Sequence, residues 1–398
     1  MGGLMLAEVI YWDNNATTAV APEVLEAMLP FLRERYFNPS AAYAGARQVR
    51  RAVEEAREAV AALVGAHPDE IVFTSGGTEA TNSALAFWKK TAIAATEHPA
   101  TLHSAHGVVL APVTPDGRVD PWAWDSSLAG CDGCSFAWAN HETGVLQEAE
   151  SLIEAAARAR CGVHVDCVQA AGKVKIDLSG LPVHFASLSA HKIHGPKGIG
   201  ALYVRRGVEW SPWMRGGAQE SRRRAGTENV PGIVGFGEAA RQARIHAEDY
   251  RQTELLRDFF ERGLKDAFPD EVIVHGGCVP RLPHVSNLRI AGFTAESLML
   301  LLEPWGLVCA AGSACTTADP RPSHVLQAMG LADEEIRGAL RFSLSRMTTR
   351  SEAEQALELV IRAARKLRSV QSAHTGPVTI YRPKQEPDDK TSFFPGIT

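Results

Sequence analysis

The chain has 398 residues and a mass of 42.9 kDa, enough for a large domain with a satellite and for a core that needs no disulfide or metal staples. Hydrophobic residues make up 45% and charged residues 22%, which excludes a mostly disordered chain, a collagen-like fibre and a coiled coil. The 41 basic and 46 acidic residues leave a net charge of −5, so no direct nucleic-acid binding is expected. Seven cysteines, odd in number and sparse, form no disulfide framework. The most apolar run, Leu298–Ala311, is cut by Glu303 and Pro304 and falls short of the ~18 apolar residues a membrane span needs. Met1–Trp12 has no basic segment ahead of its apolar residues, so no signal peptide is expected. The chain reads as cytoplasmic, without a membrane partner.

In chain order, Pro22–Arg35 reads as a helix opened by proline and stopped before Asn38-Pro39. Gln48–Val64 is a second helix, with Val49, Val53, Ala56, Val60 and Leu63 near one face. The apolar strand Ile71–Phe73 runs into Ser75-Gly76-Gly77-Thr78, and Glu79–Lys90 resumes as helix. A strand, a glycine turn and a helix in that order offer backbone N–H groups to an anion. Strands follow at Gly107–Ala111, Ser135–Ala139, Val163–Asp166, Ala186–Ser189 and Ile199–Val204, with helices such as Ser151–Arg160 between several of them. This alternation predicts an α/β fold on a mainly parallel sheet, with ligands at the carboxyl ends of its strands. From about residue 240 the texture changes. One long polar helix over Ala239–Leu264 is followed by strands at Val272–Val274, Val285–Ile290 and Val308–Ala310. Helices are expected at Ser297–Leu302, Ser323–Met329, Glu334–Leu340 and Glu352–Ser369, which together read as a smaller α+β domain. The expected division is a large domain over 18–250, a small one from 1–17 and 251–370, and an irregular proline-containing tail over 371–398.

The chemistry-bearing residues sit at the expected strand ends. Lys192, among His191 and His194 and ahead of Gly195-Pro196-Lys197-Gly198, fits either a Schiff-base lysine with Ser189 and His191 on a phosphate or a solvated loop lysine. Asp166 closes a strand with Gln169 three residues on; it fits either the partner of a pyridine nitrogen or a helix-capping carboxylate. His98, in Glu97-His98-Pro99, fits either a ring over an aromatic ligand or a partly buried surface histidine. Cys315 is flanked by Gly312, Ser313 and Ala314 and reads as a thiol on a loop of small residues, where it can be reached. Cys309 reads as a small buried apolar residue. Cys131 and Cys134 form a lone C-x-x-C without a second pair at zinc spacing, and no metal is expected. Arg222-Arg223-Arg224 fits a phosphate, an acidic partner or a solvated turn.

Taken in order, these segments resemble the cysteine desulfurases of the NifS/IscS type, within the class V, fold type I pyridoxal-phosphate enzymes. The resemblance rests on Tyr11–Thr18, Asn38-Pro39-Ser40, Ser75–Asn82, Glu97-His98, Asn140–Gly144, His164–Gln169, Ser189–Gly200, Arg224–Thr227, Gly312–Thr316 and Arg341–Leu344, and it covers about residues 10 to 370. It implies a fold type I transferase with a large domain on a mainly parallel sheet and a smaller α+β domain. It implies pyridoxal 5′-phosphate as cofactor and L-cysteine as substrate. Lys192 would form the Schiff base and then act as the base, Asp166 would pair with the pyridine nitrogen, and His98 would stack on the ring. Gln169 and Asn140 would lie near the ring hydroxyl. Gly77, Thr78, Ser189 and His191 would hold the phosphate, helped by Thr227 from the other subunit of a homodimer. Arg341, with Asn140 nearby, would bind the substrate carboxylate. Cys315 would take the sulfur as a persulfide for an acceptor or iron–sulfur scaffold protein, leaving L-alanine.

The chain departs from the family pattern at Tyr43, His141, Ala310, Ala311, Ala218 and Ser221, the last two standing where relatives often carry glycine. None of these removes a core catalytic group. A selenocysteine lyase or another class V enzyme is the alternative reading within the family. A non-catalytic interaction platform is the alternative outside it.

Overall fold

The computed structural model describes residues 9–311 and 322–371. Cys315 and its glycine- and alanine-rich flanks lie outside the described residues, as do residues 372–398 of the expected tail.

Among the described residues the strands in chain order are β1 (Ile10–Tyr11), β2 (Ile71–Thr74), β3 (Thr91–Ala94), β4 (Val109–Ala111), β5 (Gly133–Ala137), β6 (Gly162–Asp166), β7 (Phe185–Ser189), β8 (Gly200–Val204), β9 (Val272–Val274), β10 (Val285–Ile290), β11 (Leu307–Val308), β12 (Ala310–Ala311) and β13 (Leu340–Ser343). Seven of them form one sheet in the order β2-β8-β7-β6-β5-β3-β4. All neighbours are parallel except the two contacts of β8. The reversal has a local cause. Only residues 190–199 separate β7 from β8, whereas a parallel return needs a crossover of a dozen or more. All but the edge strand β4 are buried along nearly their whole length, as expected of a sheet covered on both faces.

Helices Pro22–Arg33, Ala44–Leu63 and Val230–Ile245 pack together against this sheet. The middle one buries Val49, Val53, Ala56, Val60 and Leu63, the stripe read from the sequence, and also Ala46, because it begins at Ala44 rather than Gln48. A second sheet, β12-β13-β10-β9, is antiparallel. Helices Asp249–Ala267 and Arg350–Gln371 contribute Phe260, Leu264, Ala356 and Val360 to a separate core with its Leu288, Leu340 and Phe342. Trp12 joins this core edge-on to Phe260 and Phe342. Thus residues just after the start of the described chain pack with its second half.

Several expected elements differ, each for a tertiary reason. The helix after the glycine turn ends at Leu85 rather than Lys90. Trp88 turns inward over the starts of β5 and β6, where a Cβ at Gly133 or Gly162 would lie within 2.6 Å of its indole. Lys90 then leads into β3, a strand the sequence reading lacked. The long polar helix is two helices, Val230–Ile245 and Asp249–Ala267. The His246 ring bonds Asp249 across the break at 2.8 Å, and the first helix is capped by the Asn229 side chain on Gly232 N. The helix expected over Glu334–Leu340 is Asp333–Gly338, and Leu340 begins β13. The expected strand Val308–Ala310 is split at Cys309: β11 pairs with β1 and β12 with β13.

Under the middle of the large sheet runs a buried polar chain. His164 on β6 meets Ser135 Oγ on β5 and Ser187 Oγ on β7, each at 2.8 Å, and Ser187 meets Thr81 Oγ1 at 2.9 Å. Burial pushes the His164 pKa down to about 3, so the ring is neutral and bridges two hydroxyls, as one donor and one acceptor.

Candidate active site

Lys192 closes the short turn after β7. Its Nζ donates to Asn15 O and, at 2.8 Å, to Ala16 O. Burial and the Arg341 cation lower its pKa to about 8, against the pull of Asp166 and Asp13. Asp166 ends β6, the neighbouring strand, and accepts from Val168 N at 2.8 Å. Burial raises it to about 6, although Val168 N–H and Lys192 act the other way. A cationic ring nitrogen beside such a carboxylate would hold it ionised.

The helix Gly77–Leu85 begins beside these strand ends. Its first turn, with Thr17, Ser75, Gly76, Ser189, His191, Lys197 and Gly198, lines a cavity of about 390 Å³ that includes Gly77 and Thr78. A Cβ at Gly76 would meet nothing within 4 Å, so the backbone there is open to a ligand. Free helix N–H groups, hydroxyls and Lys197 form the donor set that a phosphate needs. His191 Nδ1 lies 3.1 Å from Thr17 Oγ1. Burial and the nearby lysines 192, 197 and 173 lower its pKa to about 4. Glu79 also lies at this helix start, but Arg224 covers it with two bonds of 2.9 and 3.1 Å. Of the basic run, then, Arg224 meets a carboxylate, while Arg223 bonds the carbonyl of Asp69 at 2.7 Å.

His98 caps the short helix Pro99–Leu102, its Nδ1 accepting from Ala100 N at 3.1 Å. Burial, Lys192 and His324 lower its pKa to about 4. The ring is therefore neutral, with its proton on Nε2. The His141 ring stands edge-on to it at 5.2 Å, and the His324 ring stacks on His141 at 6.3 Å. Asn140 is locked: Nδ2 donates to Thr96 O, and Oδ1 accepts from Glu142 N and Thr143 N. Gln169 donates to Asn15 O at 3.0 Å and accepts from Lys173 Nζ at 3.1 Å. Arg341, on β13, binds Asp13 at 2.6 Å and His141 O at 3.1 Å. Its Nε is buried without a partner among the described residues.

The fold thus gathers Lys192, Asp166, Gln169, His98, Asn140 and Arg341, with the cavity of Gly77, Thr78, Ser189 and His191 beside them. Thr227 is exposed and does not line that cavity within one chain. Cys315 lies outside the described residues. A larger cavity of about 660 Å³, lined by Arg50, Arg57, Asp69, Glu220 and Arg223 among others, contains none of these groups. Cys309 is buried, and burial pushes its thiol up to about 12. Among the described residues no cluster of His, Cys, Asp and Glu could hold a metal ion, and no helix is long and apolar enough to cross a membrane.

Sequence reasoning gave no role to Asn15, which is the hub of the site. Its N–H bonds Ser343 Oγ, its Nδ2 bonds His141 O and its Oδ1 accepts from His284 Nε2 at 2.8 Å. Its carbonyl takes both Lys192 and Gln169. The Asp13-Asn14-Asn15-Ala16-Thr17 run, polar between an apolar strand and a proline-led helix, was the available signal.

The Aminotransferase class-V family profile matches residues 10–356, and the chain belongs to that family. It is 42% identical to "Cysteine desulfurase 2" of Trichormus variabilis over 381 residues, which is 91% of this chain and 94% of the relative. It is 43% identical to a cysteine desulfurase of Cereibacter sphaeroides over 374 residues, 89% of this chain and 95% of the relative. A solved NifS-like protein superimposes with a TM-score of 0.83 at 33% identity, over 90% of this chain and 100% of the other. The fold is that of the fold type I pyridoxal-phosphate enzymes, and the donor set above fits that cofactor.

Proposed function

We propose that this cleft converts L-cysteine to L-alanine, with Cys315 accepting the sulfur. The chain is a pyridoxal-phosphate-dependent cysteine desulfurase. Bound pyridoxal phosphate supplies an aldehyde carbon for an amine and a cationic ring that takes up the electron pair left when an α-proton is removed. The observation that carries the residue assignment is the position of Lys192 at the strand ends, between the anion cavity and Arg341, with an amine near neutrality at about 8. Such an amine anchors an aldehyde and, once free, moves a proton at Nζ.

Asp166 would hold the ring nitrogen's proton, His98 would cover one ring face, and Gln169 and Asn140 would border the ring hydroxyl. The phosphate would sit on Gly77, Thr78, Ser189 and His191. Arg341 would exchange part of its bond with Asp13 for the substrate carboxylate. The Cys315 thiolate would attack the substrate sulfur, the carbon–sulfur bond would break with its electron pair going to Cβ, and a proton at Cβ together with the return of one from Lys192 Nζ to Cα would complete alanine. Exposed Thr227 suits a role in the phosphate cavity of a second copy, so a homodimer is part of this reading. So are delivery of the persulfide to an iron–sulfur scaffold or thiolation acceptor, a cytoplasmic location, and the division into units over 18–250 and over 1–17 with 251–370. The separate sheets and cores support that division.

The test is alanine and sulfide release from L-cysteine with a reductant present. The wild type should release both in equal amounts. Cys315→Ala should release neither, and Lys192→Ala should also lose the visible absorbance of bound cofactor. Equal alanine from wild type and Cys315→Ala would overturn the role of Cys315.

A further inference from the structure

Lys173 is 7% exposed, and burying an amine costs several kcal/mol unless it is paired. Among the described residues its amine has no salt bridge, and the one hydrogen-bond partner of Nζ is Gln169 Oε1 at 3.1 Å. The charged and titratable groups acting on it are unfavourable: Lys192 and Arg341 act on it directly, and its own charge bears on His191, His194 and His284. Its pKa is accordingly pushed well below the usual lysine value, by burial first. An apolar residue would fill this place at lower cost, so the amine calls for a role.

The backbone is shaped to put it there. Gly172 has φ +73°, and a Cβ on it would come within 2.9 Å of Ala243 and 3.1 Å of Ile193. This turn brings Lys173 back under Gln169, four residues earlier. The Gln169 amide is then held at both ends. Asn15 O only accepts, so Nε2 must face it, and Oε1 must face Lys173. With one Nε2 hydrogen on Asn15 O, the second is left for the cleft.

We propose that Lys173 is a positioning residue: its buried amine holds Gln169 Oε1, fixing the amide with its NH2 toward Asn15 O and the ring hydroxyl of the cofactor. This rests on the assignment of Gln169 to that hydroxyl under the proposed function. Without Lys173, Oε1 is a buried acceptor without a partner, which favours rotation of the amide away from the cleft.

The test is a pH titration of the visible absorbance of the cofactor-loaded enzyme, for wild type, Lys173→Met, Gln169→Leu and the double variant. Loss of a donor to the ring oxygen raises the midpoint, and a hydrogen bond to a charged oxygen corresponds to about one pH unit. Lys173→Met should raise the midpoint by about that amount, and Gln169→Leu likewise. The double variant should show no further rise, because Lys173 acts through Gln169. A Lys173→Met shift of equal size in the Gln169→Leu background would mean that the amine acts as a charge alone, and would overturn the proposal, as would no shift at all. If Lys173→Met does not fold, Lys173→Gln, which keeps an amide donor, takes its place in the cycle with a smaller expected shift under the same criteria. Should the wild type itself show no Lys192-dependent visible band, the proposed function fails rather than this inference.

Discussion

The amine of Lys192 and the carboxyl of Glu97 are both displaced toward neutrality by burial, with opposite consequences. In protein stripped of cofactor, Lys192 should react with an amine-selective acylating reagent at a rate half-maximal near pH 8, against about 10.5 for an ordinary lysine. Peptide mapping of the labelled protein across pH checks this, and a midpoint near 10 would remove the claim. Glu97 is 1% exposed. One oxygen accepts from Ala137 N at 2.6 Å, and the other has no partner among the described residues. Burial, then the Asp166 charge, raises its pKa from an ordinary 4.5 to about 8. The folded protein therefore holds a proton that the unfolded chain releases above pH 4.5. The associated stability is complete below 4.5 and is lost as pH rises through 8. Glu97→Gln should flatten this dependence and gain at least about 1.4 kcal/mol at pH 8 relative to wild type, read from urea unfolding at pH 5 and pH 8.

At the scale of elements, backbone strain collects in the segment before Arg224. Glu220, Ser221 and Arg222 have φ of 49°, 56° and 67°, left-handed values that cost a non-glycine residue roughly 1–2 kcal/mol. The segment is held by Glu220, which makes two bonds of 2.7 and 2.8 Å to buried Arg57 and accepts from Phe73 N. Ser221→Gly should stabilise the fold by about 1 kcal/mol, measured as a higher urea midpoint with unchanged slope. An unchanged midpoint would mean that the strain is compensated in place. The one sequence signal for this run was Ser221, standing where relatives often carry glycine; no glycine marks Glu220 or Arg222. By contrast, the strand ends bearing Asp166 and Ser189 and the glycine turn at Gly76-Gly77 were legible, since periodicity and turn chemistry are local. The stop at Leu85 and the strand at Leu340 were not, because Trp88 and the β10 pairing decide them from a distance. The site divided the same way. Its reactive side chains could be read from residue type and order, whereas the Asn15 hub depends on partners more than a hundred residues away.

The whole molecule is joined across the cleft by polar contacts as well as by Leu282 and Val285, which pack into the core of the large unit. Arg341 bonds His141 O, His284 bonds Asn15, Ser345 bonds His194, Ser323 bonds Glu142 and His324 bonds Glu97 O. Behind them, buried Arg281 and Glu261 pair at 2.6 and 2.7 Å, while Leu146 and Leu282 exchange backbone bonds with Pro280 and Gly144. Arg281→Met leaves Glu261 buried and unpaired, which should cost about 3–5 kcal/mol. Because Arg281 also bonds Val285 O, on the strand that pairs with β13, the variant should raise the KM for L-cysteine through Arg341 more than it weakens cofactor binding. Steady-state kinetics and cofactor titration on one preparation separate the two, and equal losses would count against this coupling.

The groups that receive the Lys192 amine are two peptide carbonyls, those of Asn15 and Ala16, and that has a genetic consequence. Codon changes rewrite side chains and leave the main chain's oxygen in place, so no substitution at position 15 deletes this contact. A saturation scan would register the loss of the side-chain bonds to His141 O and His284 and how well each replacement keeps the carbonyl aimed, but not the carbonyl contact itself. Weakening the acceptor itself takes synthesis rather than mutation: a backbone ester installed at the Asn15–Ala16 linkage would lower the carbonyl's basicity while every encoded side chain stays the same.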